Sequence, residues 1–355
     1  MYSKDKAADL KSNRVGRKYA LPTLIWVLIL AVLLLFISLV CLCLGQYSMT
    51  MGESIQVLFG KMLHTQVTWK PMMEKVIFYL RLPRIIAAGL VGASLALSGS
   101  AYQGIFRNPL VSPDLLGVSS GACVGAALAI LMGLNGTWIQ QVMAFGTGLL
   151  SVGLTLLIPK MLGSTSNIML VLSGVIVSGL MSSVMGMIKY VADPQSQLQA
   201  ITFWQMGSFA YVKYDEIGSV LAPMAVGTVI LLLISWWIDI LSMGETEAKL
   251  LGANARPIRN VAILCSSILT ASAVCLCGTI SWVGLVIPHF ARMLVGPNST
   301  KLMPVACLLG AIFMIVVDTC SRNIAGVELP VSILTSLIGA PFYIMLMKRQ
   351  KGELQ

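Results

Sequence analysis

The side chains that could do chemistry in this chain are few, and the charged ones stand beside long apolar stretches. Arg81 and Arg84 precede one such stretch, and Asp318 and Arg322 lie near the end of another. An ionisable group inside a membrane-spanning helix is costly unless it is paired or functional. Asp318 and Arg322 are four residues apart on one helix face, so they can form an ion pair. We expect a structural pair there, with contact to a substrate as the minor alternative.

Catalytic motifs are missing from the sequence. It contains no G-x-x-x-x-G-K-[ST] phosphate loop, no H-E-x-x-H motif and no paired C-x-x-C spacing. The eight cysteines fall within or at the ends of apolar stretches, where cysteine acts as a small hydrophobic residue. His289 follows Pro288, and we expect this pair to interrupt a helix rather than to bind a ligand. We therefore predict no catalytic residue, no bound metal and no cofactor in this chain.

The elements that position these residues are membrane-spanning helices. The 355 residues are 57% hydrophobic and 11% charged, with a mean hydropathy of +0.86. Each span needs about 20 apolar residues. We predict an all-α membrane protein of one transmembrane domain over residues 21–355, and we expect the first apolar run to be a retained span rather than a cleaved signal. The ten predicted spans are 21–45, 84–106, 115–134, 138–159, 166–190, 217–241, 258–277, 281–295, 304–321 and 330–347.

The charge distribution orients these spans. Lysine and arginine near span ends favour the cytoplasm, and most of the 24 such residues fall on one side if the N-terminus is cytoplasmic. This places both termini, and a basic segment over residues 1–20, in the cytoplasm. It also accounts for the net charge of +10 without nucleic acid. Arg81, Arg84 and Arg322 fall on the outer side against this trend, which makes them candidates for a function.

Residues 81–122 form the stretch around which the rest is organised. A helix rich in Gly, Ala and Ser runs past Gln103, breaks at Asn108-Pro109 and again at Pro113, and restarts at Gly117. Broken backbone at membrane depth is tolerated where protein buries it or where it lines a wet cavity. We interpret this stretch as the wall of a translocation path.

Small residues recur at every fourth position in two other spans, the fifth and the tenth. Such residues allow helices to pack closely, and they can also line a pore. The two interpretations are compatible. The residues are Gly174, Ser178, Ser182 and Gly186 in the fifth span, and Ser332, Ser336 and Ala340 in the tenth.

An internal repeat is visible when the sequence is shifted by 175 residues without gaps. The shift superimposes Arg81 on Arg256 and Pro113 on Pro288. Because Arg81 and Arg256 are separated by an odd number of spans, the two copies must be inverted. Inverted repeats that meet at broken helices are a common way to build a transport path.

These features resemble those of the iron-complex and cobalamin ABC importer permeases, the membrane subunits of binding-protein-dependent importers for siderophores, haem and vitamin B12. The resemblance covers nearly the whole chain after residue 20. The matching residues are Arg81-Leu82-Pro83-Arg84, Gly99, Gln103, Asn108-Pro109-Leu110, Pro113, Leu116-Gly117, Gly121-Ala122, Gly244-Glu245, Leu251-Gly252, Trp282 to His289, Arg292, Asp318, Arg322, Glu328-Leu329-Pro330 and Gly339-Ala340-Pro341.

The resemblance implies the fold of a type II ABC importer permease and a set of partners. These are a second permease subunit, expected as a homodimer, two ABC ATPase subunits that bind ATP and Mg²⁺, and an extracytoplasmic substrate-binding protein. The chain itself would be a transport subunit and not an enzyme, in the cytoplasmic membrane of a prokaryote. A short helix within residues 191–216 would act as an outer gate.

The resemblance also assigns roles to residues. The binding protein would dock on Arg81, Arg84 and Arg322. The polar loop 243–259, read as two short helices broken at Gly252, would couple to the ATPase through Gly244, Glu245, Ala248, Leu251, Gly252, Arg256 and Arg259. The path would be lined by Gln103, Asn108 and Pro109 together with the small residues of spans five and ten, Gly174, Ser178, Ser182, Gly186, Ser332, Ser336 and Ala340.

Other interpretations remain open at this stage. Arg81 and Arg84 could anchor a span at the lipid headgroups, and 243–259 could be an ordinary solvated loop. The expected cargo is an iron complex, either a ferric siderophore or haem, with cobalamin or molybdate as the alternative. An ion-coupled carrier would need acidic residues in mid-span, and a purely structural membrane protein would not explain the loop.

Overall fold

The computed structural model describes residues 22–63, 69–163, 166–252, 254–324 and 328–353. The predicted basic segment 1–20 lies outside this range. The described residues form helices and connecting turns, without strands. The helices are α1 Thr23–Cys43, α2 Met51–Met62, α3 Pro71–Phe106, α4 Val118–Leu131, α5 Trp138–Met161, α6 Asn167–Val191, α7 Gln197–Met206, α8 Tyr214–Leu233, α9 Ser235–Met243, α10 Glu245–Leu250, α11 Ala255–Cys277, α12 Val283–Val295, α13 Ser299–Asn323 and α14 Val331–Glu353.

The predicted spans are confirmed as helices. Seven helices in the described part of the chain, α1, α3, α5, α6, α8, α11 and α13, are long and apolar enough to cross a membrane. Three shorter apolar helices, Val118–Leu131, Val283–Val295 and Val331–Met345, occupy the remaining predicted positions. The helix expected within residues 191–216 is α7. Span six is divided, because α8 ends at Leu233 and α9 begins at Ser235.

Helix α3 lies at the centre, and its small residues explain why. A Cβ atom added at Gly92 would lie 2.1 Å from the Gly310 carbonyl oxygen of α13. A Cβ atom added at Gly99 would lie 1.8 Å from the Gly284 carbonyl oxygen of α12. Only glycine permits such backbone contact. The hydroxyl of Tyr102, fully buried, lies 2.9 Å from Ser267 Oγ on α11. Helices α11, α12 and α13 therefore surround α3 closely.

Two breaks in the chain have the same local geometry. Gly117 precedes α4 with φ of 79°, and Trp282 precedes α12 with φ of 73°, so both short helices follow a left-handed residue. The breaks also touch, since a Cβ at Gly284 would lie 2.5 Å from Pro113 Cδ. This correspondence supports the internal repeat and corrects its register. The ungapped shift of 175 would place Val118 on Met293, near the end of α12 rather than at its start.

The predicted interruption at Pro288-His289 is wrong, because α12 is continuous from Val283 to Val295. Pro288 has no N–H to donate to the carbonyl of Gly284 one turn earlier. Gln103 Nε2 on α3 donates to that oxygen instead, at 3.4 Å. The neighbouring helix therefore satisfies the group that the proline leaves free, and the helix does not need to break.

Candidate functional site

Many of the sequence-predicted site residues lie at the two ends of the bundle, which α3 joins. We call the end that holds Arg84 and Asp318 the arginine end. We call the opposite end, which holds α10, the loop end. Arg107, the residue after α3, lies at the loop end, since a Cβ at Gly244 would be 3.7 Å from its Nη1. The sequence-predicted site residues divide between these ends and the helices that connect them.

At the arginine end, Arg84 is held by two carboxylates. Its Nη2 lies 2.7 Å from Asp318 Oδ1 and its Nε lies 3.3 Å from Oδ2, a bidentate contact between α3 and α13. Its Nη1 also donates to Glu328. Asp318 is 1% exposed and Arg84 is 8% exposed. Because buried charges need partners, this cluster fixes α3 against α13.

Arg322 joins the same cluster at its edge. Its Nε lies 3.4 Å from Asp318 Oδ2, one helical turn away, and its Nη2 donates to Thr319 Oγ1 at 3.1 Å. The predicted pair Asp318–Arg322 is therefore present. The closer and better aligned partner of Asp318 is nevertheless Arg84, which lies 234 positions away in sequence.

Arg81 has a different role in the structure. Its guanidinium donates to the carbonyl oxygens of Leu42 at 2.6 Å, Cys43 at 3.1 Å and Tyr47 at 2.6 Å. The first two are carbonyls of the last turn of α1, which have no partner within that helix. A cation there is also favoured by the helix dipole. Arg81, 3% exposed, thus caps α1 against α3.

A cavity of about 400 Å³ opens beside these arginines. Arg81, Arg84, Arg322 and Glu328 contribute to its wall. Since Arg84 and Arg322 balance Asp318 and Glu328, the guanidinium of Arg81 leaves the cluster with one excess positive charge. The cavity can therefore admit an anionic group, although each arginine is already engaged.

A second cavity, of about 550 Å³, lies between α7 and α14. Its wall includes Ser332 and Ser336, two of the predicted path residues, together with Thr202 and Gln205 of α7. Lys189 of α6 donates to Gln205 Oε1 at 2.6 Å. Ala340 lies two turns farther along α14 than Ser332 and is half-buried. Two of the three predicted path residues of α14, Ser332 and Ser336, thus face the helix that was expected to form a gate.

The small-residue stripe of α6 is divided between two environments. Gly174 and Ser178 pack on the break before α4, where a Cβ at Gly174 would lie 2.1 Å from the Leu115 carbonyl oxygen. Ser182 and Gly186 are exposed in the described chain. Close packing therefore accounts for half of the stripe, and the exposed half is free to face a partner subunit or a path.

Gln103 does not face an open cavity. It is 3% exposed, and its Nε2 lies 3.3 Å from the Val111 carbonyl and 3.4 Å from that of Gly284. Its Oε1 accepts from Arg292 Nη2. Gln103 thus ties the two breaks together. Asn108 and Pro109 are exposed just beyond α3, at the loop end.

The loop end presents an apolar surface on a fixed base. Helix α10 is followed by Gly252, with φ of 77°, so the predicted break is confirmed. The expected second short helix is wrong, because the chain after the break forms the first turns of the long helix α11. Ala248 is fully buried and packs with Leu241 and Ala255, whereas Leu250 and Leu251 are 83% and 59% exposed. An exposed apolar pair on an anchored turn is typical of a protein–protein contact.

The other residues that were predicted to couple to the ATPase lie before and after this surface in the chain. Gly244 precedes α10 with φ of 141°, and the backbone of Glu245 begins that helix. Arg256 is exposed at the start of α11. Arg259 donates to Asn167 Oδ1 at 3.1 Å, which links α11 to the start of α6.

Sequence reasoning missed three contacts: Arg84 with Asp318, Arg84 with Glu328, and Lys189 with Gln205. The first and third contacts join residues on different helices, and the second joins α3 to the segment that precedes α14, so no local spacing reveals them. One sequence feature did point to Glu328, because the segment Glu328-Leu329-Pro330 is part of the family resemblance. The resemblance gave Glu328 no role.

Two half-length helices that each follow a break, a charged cavity at one end and an anchored apolar turn at the other are features of a multi-pass permease subunit rather than an enzyme. The profile of the FecCD transport family matches residues 30–349. The chain belongs to this family of ABC importer permeases.

Named relatives span almost the same length. The chain is 41% identical over 326 residues to the molybdate import system permease protein MolB of Haemophilus influenzae, covering 91% of this chain and 95% of the relative. It is 35% identical to the hemin transport system permease protein HmuU of Yersinia pestis, covering 90% and 95%. A solved metal-chelate type ABC transporter in an inward-facing conformation matches with a TM-score of 0.82 and 39% identity, covering 91% of this chain and 98% of that chain.

Proposed function

We propose that this chain carries an iron complex, a ferric siderophore or haem, across the cytoplasmic membrane of a prokaryote. It works as a homodimer beneath an extracytoplasmic binding protein, and ATP hydrolysis with Mg²⁺ on two partner ATPase subunits supplies the energy. The arginine end faces outward and the loop end faces the cytoplasm, with both termini on the cytoplasmic side.

The observation that carries this proposal is the placement of two unlike docking surfaces at the two ends of α3. The exposed Leu250 and Leu251 suit a groove on an ATPase. The arginine cavity suits acidic side chains of a binding protein, because an excess positive charge attracts and orients an acidic partner. An ion-coupled carrier would instead use an acid in mid-span, and Asp318 lies near a helix end and is paired twice.

Molybdate is the second candidate cargo. It is favoured by the 41% identity to a molybdate permease over nearly the whole chain. The cavity between α7 and α14 offers hydroxyl and amide groups and no carboxylate among the described lining residues. Such a lining suits an oxyanion as well as a chelate, so the cargo is decided by the binding protein.

The cargo is tested by heating the cognate binding protein with ferric siderophores, haem, cobalamin and molybdate in turn. A ligand that binds only the folded protein raises its midpoint of unfolding. Stabilisation by a ferric siderophore or haem supports the first candidate, and stabilisation by molybdate alone selects the second. Transport of the selected ligand in proteoliposomes must then require ATP.

Docking is tested separately with Arg322→Gln, which removes one charge while Arg84 still pairs with Asp318. We expect at least about tenfold weaker binding of the binding protein, equivalent to 1.4 kcal/mol. Basal ATP hydrolysis should be unchanged. Lys160→Glu, at the opposite end, is the control and should bind normally. Equal loss of basal and stimulated hydrolysis in Arg322→Gln would refute docking at this surface.

A further inference from the structure

The two carboxylates on Arg84 differ in how they are held. Asp318 is 1% exposed and belongs to a rigid helix, α13, whereas the Glu328 side chain is 33% exposed and lies outside any helix. Water reaches the Glu328 carboxylate and competes for its contact with Arg84, which it does not do for Asp318. Glu328 is therefore the partner that Arg84 can release, and Asp318 is the partner that it keeps.

Glu328 also stands where an incoming carboxylate would arrive. It lines the 400 Å³ cavity together with Arg84 and Arg322. A carboxylate that enters this cavity meets Arg84 on the side that Glu328 covers, since Asp318 occupies Nε and Nη2. Two carboxylates on Nη1 would repel each other and each would weaken the other's contact, so the incoming group competes with Glu328.

The backbone after Glu328 is fastened to two helices. The Leu329 N–H donates to the Ser321 carbonyl at 3.2 Å, and Ser321 Oγ donates to the Leu329 carbonyl at 2.5 Å. Two residues on, the Val331 N–H donates to the Gly207 carbonyl at 3.0 Å. Gly207 ends α7, and Val331 begins α14. The backbone beside Glu328 is thus connected by hydrogen bonds to both walls of the 550 Å³ cavity.

We propose that Glu328 is an internal stand-in for a carboxylate of the binding protein, and that its displacement from Arg84 shifts α7 relative to α14. The inference rests on the proposed docking at the arginine end. The exchange keeps the charge of the cluster constant, because one carboxylate replaces another. Docking therefore breaks the contact between Arg84 and Glu328 and leaves the net charge of the cluster unchanged.

The test compares Glu328→Gln with Glu328→Asp in the full complex of permease and ATPase in nanodiscs. The probe is the binding protein loaded with whichever of molybdate, haem or ferric siderophore stabilises it. Glu328→Gln removes the competitor at almost constant shape, and we expect about three- to tenfold tighter binding. Glu328→Asp, with a shorter reach, should lie between Glu328→Gln and the wild type. Asp215→Asn, an exposed acid at the start of α8, is the matched control and should bind as wild type.

The transmission step has its own variant, Ser321→Ala, which removes one of the two ties to Leu329. We expect normal binding but reduced stimulation of ATP hydrolysis. Unchanged or weaker binding in Glu328→Gln would overturn the inference, and so would full stimulation in Ser321→Ala. If Arg322→Gln weakens binding while Glu328→Gln does not strengthen it, the docking surface stands and only the exchange fails. If Arg322→Gln also binds normally, docking itself fails.

Discussion

Asp318→Asn is the substitution for which the structure makes the sharpest stability prediction. The change keeps the shape of the side chain and removes its charge from between two guanidinium groups. Arg84 lies 2.7 Å away and Arg322 lies 3.4 Å away. At an effective dielectric constant of about 20, a pair of charges about 4 Å apart interacts by roughly 4 kcal/mol. Breaking a buried pair from one side costs about 3–5 kcal/mol. Here two guanidinium groups would be left with one carboxylate, that of Glu328.

The cost should be visible as a loss of heat resistance. For a large domain, 1 kcal/mol corresponds to roughly 2 °C in the midpoint of unfolding, so we expect a decrease of about 6–10 °C. The assay heats the detergent-solubilised importer in steps and measures the fraction that remains monodisperse on gel filtration. Asp215→Asn removes the same charge from an exposed site and should stay within about 1 °C.

A midpoint within about 2 °C of wild type for Asp318→Asn would refute the reasoning, because it would mean that water already screens the cluster. A second measurement examines the cause. Arg84→Gln should cost less in the Asp318→Asn background than in wild type, since the contact that it removes is already broken. Strictly additive losses would show that the two side chains act independently.

Three further predictions concern packing, coupling and the breaks. Gly92→Ala places a Cβ 2.1 Å from the Gly310 carbonyl and should cost about 1–3 kcal/mol, whereas Gly89→Ala, whose Cβ meets a side chain at 3.5 Å, should leave the heating midpoint nearly unchanged. Leu251→Glu should release the ATPase during purification while the permease alone remains monodisperse; an intact complex would contradict the coupling role. Gln103→Leu should lower the midpoint by the equivalent of about 1–3 kcal/mol, because it leaves buried carbonyls without donors.

The sequence was sufficient for the order and most of the approximate bounds of the apolar helices, because each span carries its own hydrophobic signal. It did not predict the division of span six or the start of α3 at Pro71. It was also sufficient for the break at Gly252. It could not predict that α12 continues through Pro288, since the group that allows this is Gln103 on another helix. Local spacing likewise identified Arg322 as the partner of Asp318 and missed Arg84. Contacts between helices that are distant in sequence produce no periodic pattern in the sequence, so they cannot be predicted from it.

The structure also changes the interpretation of the three arginines whose predicted outer location opposes the charge bias. In the proposed orientation they stand on the outer side, where the positive-inside rule disfavours them. Arg84 and Arg322 are balanced by Asp318 and Glu328, and Arg81 is held by carbonyls at the end of α1. Their position is therefore explained by packing before any partner is considered. In the proposed exchange, a binding protein competes with Glu328 for Arg84. Its affinity would then depend on how readily the permease releases that carboxylate.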